Sequence, residues 1–112
     1  MPFIKINANT AISKEQETAV KTRLGQAISL LPGKSEQWLM VGFAPETPLY
    51  FRGDGSQNIA FLEVSVYGSL SKPAADRLTA AITDILREEL AIEQVYIKYG
   101  EVEIWGYNGS NF

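Results

Sequence analysis

Residues 59–90 read IAFLEVSVYGSLSKPAADRLTAAITDILREEL, a β-rich run followed by a helix whose start is marked. Ile59–Tyr67 carries the β-branched and aromatic residues that suit a strand. Ser71 and Pro73 fit the N-cap and first turn of a helix, and Leu78, Ile82, Ile85, Leu86 and Leu90 recur at helical spacing to give it one apolar stripe. Val95-Tyr96-Ile97-Lys98-Tyr99 follows as a further strand. Working outward, the same order precedes it. Phe3–Asn7 reads as a strand, and Ser13 opens a helix with Gln16 three positions on, a capping-box signature. Val20, Leu24, Ala27, Ile28 and Leu31 form that helix's stripe, Pro32-Gly33 ends it, and Trp38–Phe43 reads as a strand. Between the halves, Pro45–Asn58 is a polar loop holding Gly53 and Gly55, with a short edge strand expected at Leu49–Phe51. The tail from Trp105 to Phe112 is rich in aromatics and glycines.

The halves superimpose. An offset of 58 places Val20 on Leu78, Leu24 on Ile82, Ile28 on Leu86, Ile4 on Leu62, Trp38 on Tyr96 and Leu39 on Ile97. This fits an internal duplication: an α+β fold in which two β-α-β units share one four-stranded mixed sheet, with both helices on one face. Two helices cannot hide both faces of such a sheet. Phe3, Lys5, Phe61, Glu63, Tyr96 and Lys98 sit among residues on alternating faces, and neither face is purely polar. A partly apolar sheet face left bare is usually covered by another subunit, so oligomerisation is expected.

At 112 residues the chain is the size of one domain, and 46% apolar residues are enough to build a core. A net charge of −3 argues against nucleic acid as the main partner, since phosphate binding needs clustered cations. The chain has no Cys, which removes disulfides, thiolate nucleophiles and Cys-ligated zinc. It has no His, which removes Ser-His-Asp triads and imidazole metal sites. Acid–base chemistry near neutral pH is left to carboxylates, Lys, Tyr or a terminal amine. No run approaches the ~18 apolar residues of a membrane span, and residues 1–6 lack the features of a signal peptide, so no membrane partner and a cytoplasmic location are expected.

The order of elements, together with Met1-Pro2, Gly33-Lys34, Leu49-Tyr50-Phe51, Val95-Tyr96-Ile97 and the Trp105–Phe112 ending, resembles the macrophage migration inhibitory factor family of the tautomerase superfamily. The resemblance spans essentially the whole chain and implies one tautomerase-like domain over residues 1–112, assembling as a homotrimer with sites between neighbouring subunits. It implies cofactor-independent keto–enol tautomerisation of phenylpyruvate-like 2-oxo acids or their enols, with neither cofactor nor metal. By position, Pro2 would be the general base once Met1 is removed, and Lys34 would bind the substrate carboxylate. Tyr67 falls where a backbone N–H also binds that carboxylate. Tyr96 would reach in from the neighbouring subunit, and Trp105, Tyr107 and Phe112 would form the apolar part of the pocket. Lys98 stands where well-known members have Asn and would add a cation. Tyr107 replaces a frequent Trp, Gln57-Asn58 replaces a usual Glu-Pro, and the Cys-x-x-Cys pair of some animal members is missing.

The residues themselves support each role beside a plainer one. A free α-amino group titrates near ~7.7–8.0, and burial with a cation nearby would lower that value towards the working range of a base. Pro2 is otherwise merely a common second residue. Lys34 could pair with a carboxylate or simply favour a helix C-terminus. Lys98 could line a pocket or pair with Glu63 or Glu101. Tyr96, Trp105, Tyr107 and Phe112 could wall an aromatic site or pack a core or subunit contact. Two other functions fit the pattern: a catalytically weak small-molecule-binding or signalling protein of the same fold, and a ferredoxin-like regulatory domain with the same element order.

Overall fold

The computed structural model describes residues 1–112. Helix α1 (Lys14–Ala27) starts where the sequence marks it. Ser13 Oγ accepts from the Gln16 N–H at 3.1 Å, and the Ser13 N–H donates to Gln16 Oε1 at 2.9 Å. Helix α2 (Lys72–Leu90) is capped by Ser71 Oγ, which accepts from the Ala74 N–H at 3.3 Å. Its end is set by Ala91, whose φ of 54° turns the chain out of the helix.

Four strands, β1 (Pro2–Ala8), β2 (Met40–Ala44), β3 (Ile59–Tyr67) and β4 (Gln94–Val102), form one mixed sheet in the order β2-β1-β3-β4. The pairs β1–β2 and β3–β4 are parallel, and β1–β3 in the centre is antiparallel. Each parallel pair is joined by its helix, so two β-α-β units meet along β1 and β3. Ile4, Ile6, Leu62 and Val64 are essentially inaccessible, as are Leu24 of α1 and Leu78, Ile82 and Leu86 of α2. One apolar layer lies between the sheet and both helices. No helix is long and apolar enough to cross a membrane.

The duplication holds, with a shift inside it. Ser13 and Ser71 cap their helices at the expected offset of 58. Ile4 pairs with Val41 but Leu62 pairs with Ile97, so the second strands correspond at an offset of 56. The expected matches of Trp38 with Tyr96 and Leu39 with Ile97 are therefore displaced by two residues. The connections differ: α1 continues into 3-10 turns at Ile28–Leu30 and Glu36–Trp38, whereas α2 runs on to Leu90. For the same reason β2 begins at Met40, not Trp38. The expected edge strand at Leu49–Phe51 is absent. Phe51 and Asp54 exchange both backbone hydrogen bonds at 2.9 Å across a turn with Arg52 at φ 55° and Gly53 at φ 77°, so this backbone closes on itself. The tail forms a hairpin, β5 (Gly106–Tyr107) and β6 (Ser110–Asn111), around Asn108 at φ 45° and Gly109 at φ 93°. That pair of left-handed residues is the Asn-Gly signature of a tight hairpin turn.

Strand alternation places Phe3, Lys5, Phe61, Glu63, Tyr96 and Lys98 together on the helix-free face. Lys5, Glu63 and Lys98 lie side by side across three strands, with Lys98 Nζ 3.5 Å from Glu63. Of the two carboxylates considered for Lys98, Glu63 is the one it meets.

Replacing the inaccessible Leu78 by Ala leaves a cavity under α2 and should cost about 2–5 kcal/mol. Lys14→Ala, at a side chain 90% exposed, should change stability by less than about 0.5 kcal/mol. Urea midpoints at one fixed protein concentration measure both.

Candidate active site

Pro2 is the first residue of β1, opposite Val66. A strand's first position tolerates the missing N–H of proline. Because β1 is an inner strand, Pro2 is buried, and it lies at the base of a cleft of about 690 Å³. Three parts of the chain wall the cleft: Phe3 of β1, Trp38 and Met40 leading into β2, and Trp105 and Tyr107 of the terminal hairpin. Trp38 and Tyr107 meet edge to face, with ring centres 5.4 Å apart. The walls are mostly apolar, as those of small-molecule clefts commonly are.

Behind this cleft a short chain of hydrogen bonds ties the N-terminus to Lys34. Gly33, at φ 78°, turns the chain after the first helix and brings Lys34 back towards the sheet. Lys34 Nζ donates to the Tyr67 carbonyl at 2.8 Å, and the Tyr67 N–H donates to the Met1 carbonyl at 3.1 Å. Phe112 packs on Tyr67 with ring centres 6.3 Å apart and on Tyr107 at 6.5 Å. The Met1 amine titrates below the usual 8.0, because burial disfavours its charge and because the Lys34 ammonium lies nearby.

Six of the eight candidate residues thus gather at one end of the sheet: Pro2, Lys34, Tyr67, Trp105, Tyr107 and Phe112. Lys34 and Tyr67 sit beside Met1 and not on the open wall of the cleft. Tyr96 and Lys98 are not part of this gathering. Pro2 lies in register with Val66 and Glu101, which puts Tyr96 about 17 Å and Lys98 about 10 Å further along β4. Tyr96 is 64% exposed and stands edge-on to Phe51, while Lys98 lies over the Phe61 ring at 5.7 Å. Trp38 and Met40 were not among the expected site residues. Reading Trp38 as strand interior hid it, although a Trp and a Met side by side at the entry to an edge strand are a usable sign of an apolar wall. No cluster of three or more His, Cys, Asp or Glu side chains is present to hold a metal ion.

Across residues 1–112 the sequence matches the family model described as macrophage migration inhibitory factor. The chain belongs to that family. Solved structures with the same fold include Leishmania major MIF2, at 24% identity and a TM-score of 0.93 over 100% of this chain and 97% of that one. The macrophage migration inhibitory factor of Toxoplasma gondii is similar at 21% identity and a TM-score of 0.90, covering 98% and 99% of the two chains. A homologue from Prochlorococcus marinus has 23% identity and a TM-score of 0.88, covering 98% of each. No curated protein sequence matches the chain. Membership of the macrophage migration inhibitory factor family sets aside the ferredoxin-like reading and supports a tautomerase-superfamily type of function.

The Met1 amine gives a direct test of this electrostatic arrangement. Its folded pKa is depressed, so between that value and 8.0 the unfolded chain holds more protons than the folded one, and stability rises with pH across that window. Lys34→Met should raise the amine's pKa only part of the way to 8.0, because burial, the larger cause, remains. Titration of the labelled N-terminal amine by NMR reads both effects.

Proposed function

We propose that residues 1–112 form a single tautomerase-like domain that interconverts keto and enol forms of phenylpyruvate-like 2-oxo acids without a cofactor, with the amine of Pro2 as general base after loss of Met1. The observation that carries this reading is the Met1 carbonyl held by the Tyr67 N–H beside Pro2, with Lys34 on the far side of the same residue. Removing Met1 turns the Pro2 amide into a secondary amine and frees an N–H donor next to it. A substrate carboxylate fits the place of the Met1 carbonyl, accepting from Tyr67 N–H in the field of the Lys34 ammonium. The aromatic body of the substrate then lies between Trp38, Tyr107 and Trp105.

With the substrate so held, the Pro2 nitrogen takes a proton from the carbon beside the ketone. Charge moves onto the ketone oxygen as the enol forms, and the proton returns to oxygen, or to carbon in the reverse direction. The amine must be neutral to act. On the shortened chain the Pro2 amine would lie in a buried setting close to Lys34, and both burial and a neighbouring cation disfavour its protonated form.

The reading includes a homotrimer. Its support is the helix-free face, where Phe61 is only half-buried and Tyr96 is exposed. Tyr96 and Lys98, remote from Pro2 of their own chain, would act at a neighbour's cleft. A second reading, a small-molecule-binding or signalling protein with weak catalysis, is favoured by one state of the molecule. With Met1 attached, the Pro2 nitrogen is an amide and the Tyr67 N–H is occupied, while the aromatic cleft stays open.

A chain shown by intact mass to lack Met1 should convert phenylpyruvate enol, and the same chain with Met1 retained should not. Pro2→Gly keeps an amine without the ring constraint, so activity should fall by at least about tenfold, which an enol absorbance assay would record. Full activity with Met1 attached would exclude Pro2 as the base.

Sedimentation equilibrium at micromolar concentration should give about three times the 12.4 kDa of one chain. A stable monomer would remove the shared-site part of the proposal.

A further inference from the structure

Asn108 and Gly109 form the turn of the terminal hairpin, and Asn108 also lines the mouth of the Pro2 cleft. We propose that Asn108 is a site of spontaneous deamidation, and that its product places a carboxylate at the mouth of the cleft and weakens the binding of anionic ligands. The second half rests on the carboxylate-binding function proposed above. The first half stands without it.

The chemistry needs an exposed Asn, an unhindered nitrogen after it and a backbone free to move. Both turn residues are exposed, and glycine puts no side chain beside the attacking nitrogen. The Gly109 N–H is engaged in no hydrogen bond of the turn. The hairpin is small: Gly106 pairs with Asn111 and Tyr107 with Ser110, closed by the Trp105–Phe112 bonds at 3.2 and 2.8 Å. Tyr107 and Phe112 pack the strands on the body, but Asn108 and Gly109 between them are exposed and their N–H groups make no backbone hydrogen bond, so the turn is the part of the hairpin free to move. In the reaction the Gly109 nitrogen, losing its proton, bonds to Asn108 Cγ. The bond from Cγ to the side-chain nitrogen breaks, and ammonia leaves. One water then opens the resulting ring to aspartate or isoaspartate.

The other asparagines are placed differently. Asn7 Nδ2 donates to the Phe61 carbonyl at 2.9 Å, Asn9 Nδ2 to the Gln57 carbonyl at 2.8 Å, and Asn58 Nδ2 to the Ala91 carbonyl at 3.0 Å. Asn111 precedes the bulky Phe112. The related Asp54-Gly55 step is restrained, since Asp54 Oδ1 accepts from the Ser56 N–H at 2.8 Å, which favours the unreactive carboxylate.

The two products differ in consequence. Aspartate tolerates the left-handed turn and keeps the hairpin, adding only a negative charge. Isoaspartate adds a methylene to the backbone of the turn and shifts Tyr107, and with it the edge-to-face contact to Trp38.

The test follows the protease-derived fragment holding residues 107–112 by mass while the whole protein stands at pH 6 and at pH 8. The fragment should gain the mass difference between hydroxyl and amino, faster at pH 8, with release of ammonia. Asn108→Gly keeps a left-handed turn and should show no change with time. Asn108→Asp, the mimic of the product, should raise the KM for phenylpyruvate enol by about threefold to tenfold through like-charge repulsion. A fragment that stays unchanged at pH 8, where a urea-denatured sample converts, overturns the modification site. An Asn108→Asp chain with the parent's KM overturns its effect on binding. Should neither form turn over the enol, the tautomerase reading fails, and the fragment mass still decides the modification.

Discussion

The antiparallel contact between β1 and β3 is the constraint on which the rest of this fold depends. It joins two β-α-β units that could not each bury an apolar layer alone, and it sets Ile4 beside Val64 and Ile6 beside Leu62 under both helices. Burying these side chains at about 25 cal/mol per Å² of apolar surface is what offsets the entropy of ordering the chain. The pairing also decides where chemistry can happen. The start of β1 lies against the end of β3, so Pro2 and Tyr67, far apart in sequence, come to the same end of the sheet.

Around that meeting point, the parts in which the two repeats differ wall the candidate site. The first unit supplies the Gly33 turn, Lys34 and Trp38 from an extended helix-to-strand connection. The second lacks that connection, and the chain beyond its last strand supplies the aromatic hairpin instead. A symmetric scaffold thereby holds an asymmetric site. The contacts of Tyr107 with Trp38 and of Phe112 with Tyr67 fix the hairpin to the body, and their spacings of 5.4 and 6.3 Å suit edge-to-face packing.

Most of this architecture was legible in the sequence, because it rests on local signals. Ser13 with Gln16, Ser71 with Pro73, and the two apolar stripes specify the helices, and the order of elements specifies the mixed sheet. What was not legible depends on competition between local alternatives. Trp38 has strand propensity, but backbone bonds from Trp38 to Ser35 and from Leu39 to Glu36 close a turn first. Leu49–Phe51 has the composition of a strand, but Arg52-Gly53 folds Phe51 back onto Asp54. Asn108-Gly109 was a readable hairpin signal within a tail noted for its aromatics and glycines alone. At the candidate site, the fold brings Pro2, Lys34 and Tyr67, which the family resemblance singles out, to one end of the sheet, while Trp38 and Met40 emerge from tertiary structure. Tyr96 and Lys98 lie away from Pro2 of their own chain, and a role at a neighbour's cleft belongs to the proposed trimer.

Under the proposed function, the bond between the Tyr67 N–H and the Met1 carbonyl would make the first residue and a ligand rivals for one atom. In a chain that had shed Met1, a main-chain donor at the end of a central strand would lose its protein partner. Leaving such a group unmet costs of the order of 1–3 kcal/mol where water cannot reach it fully. The shortened chain would therefore be more poorly satisfied when empty than when occupied. Such a maturation would be irreversible, since a severed peptide bond does not re-form, and it would convert an internal contact of the fold into affinity for something outside it.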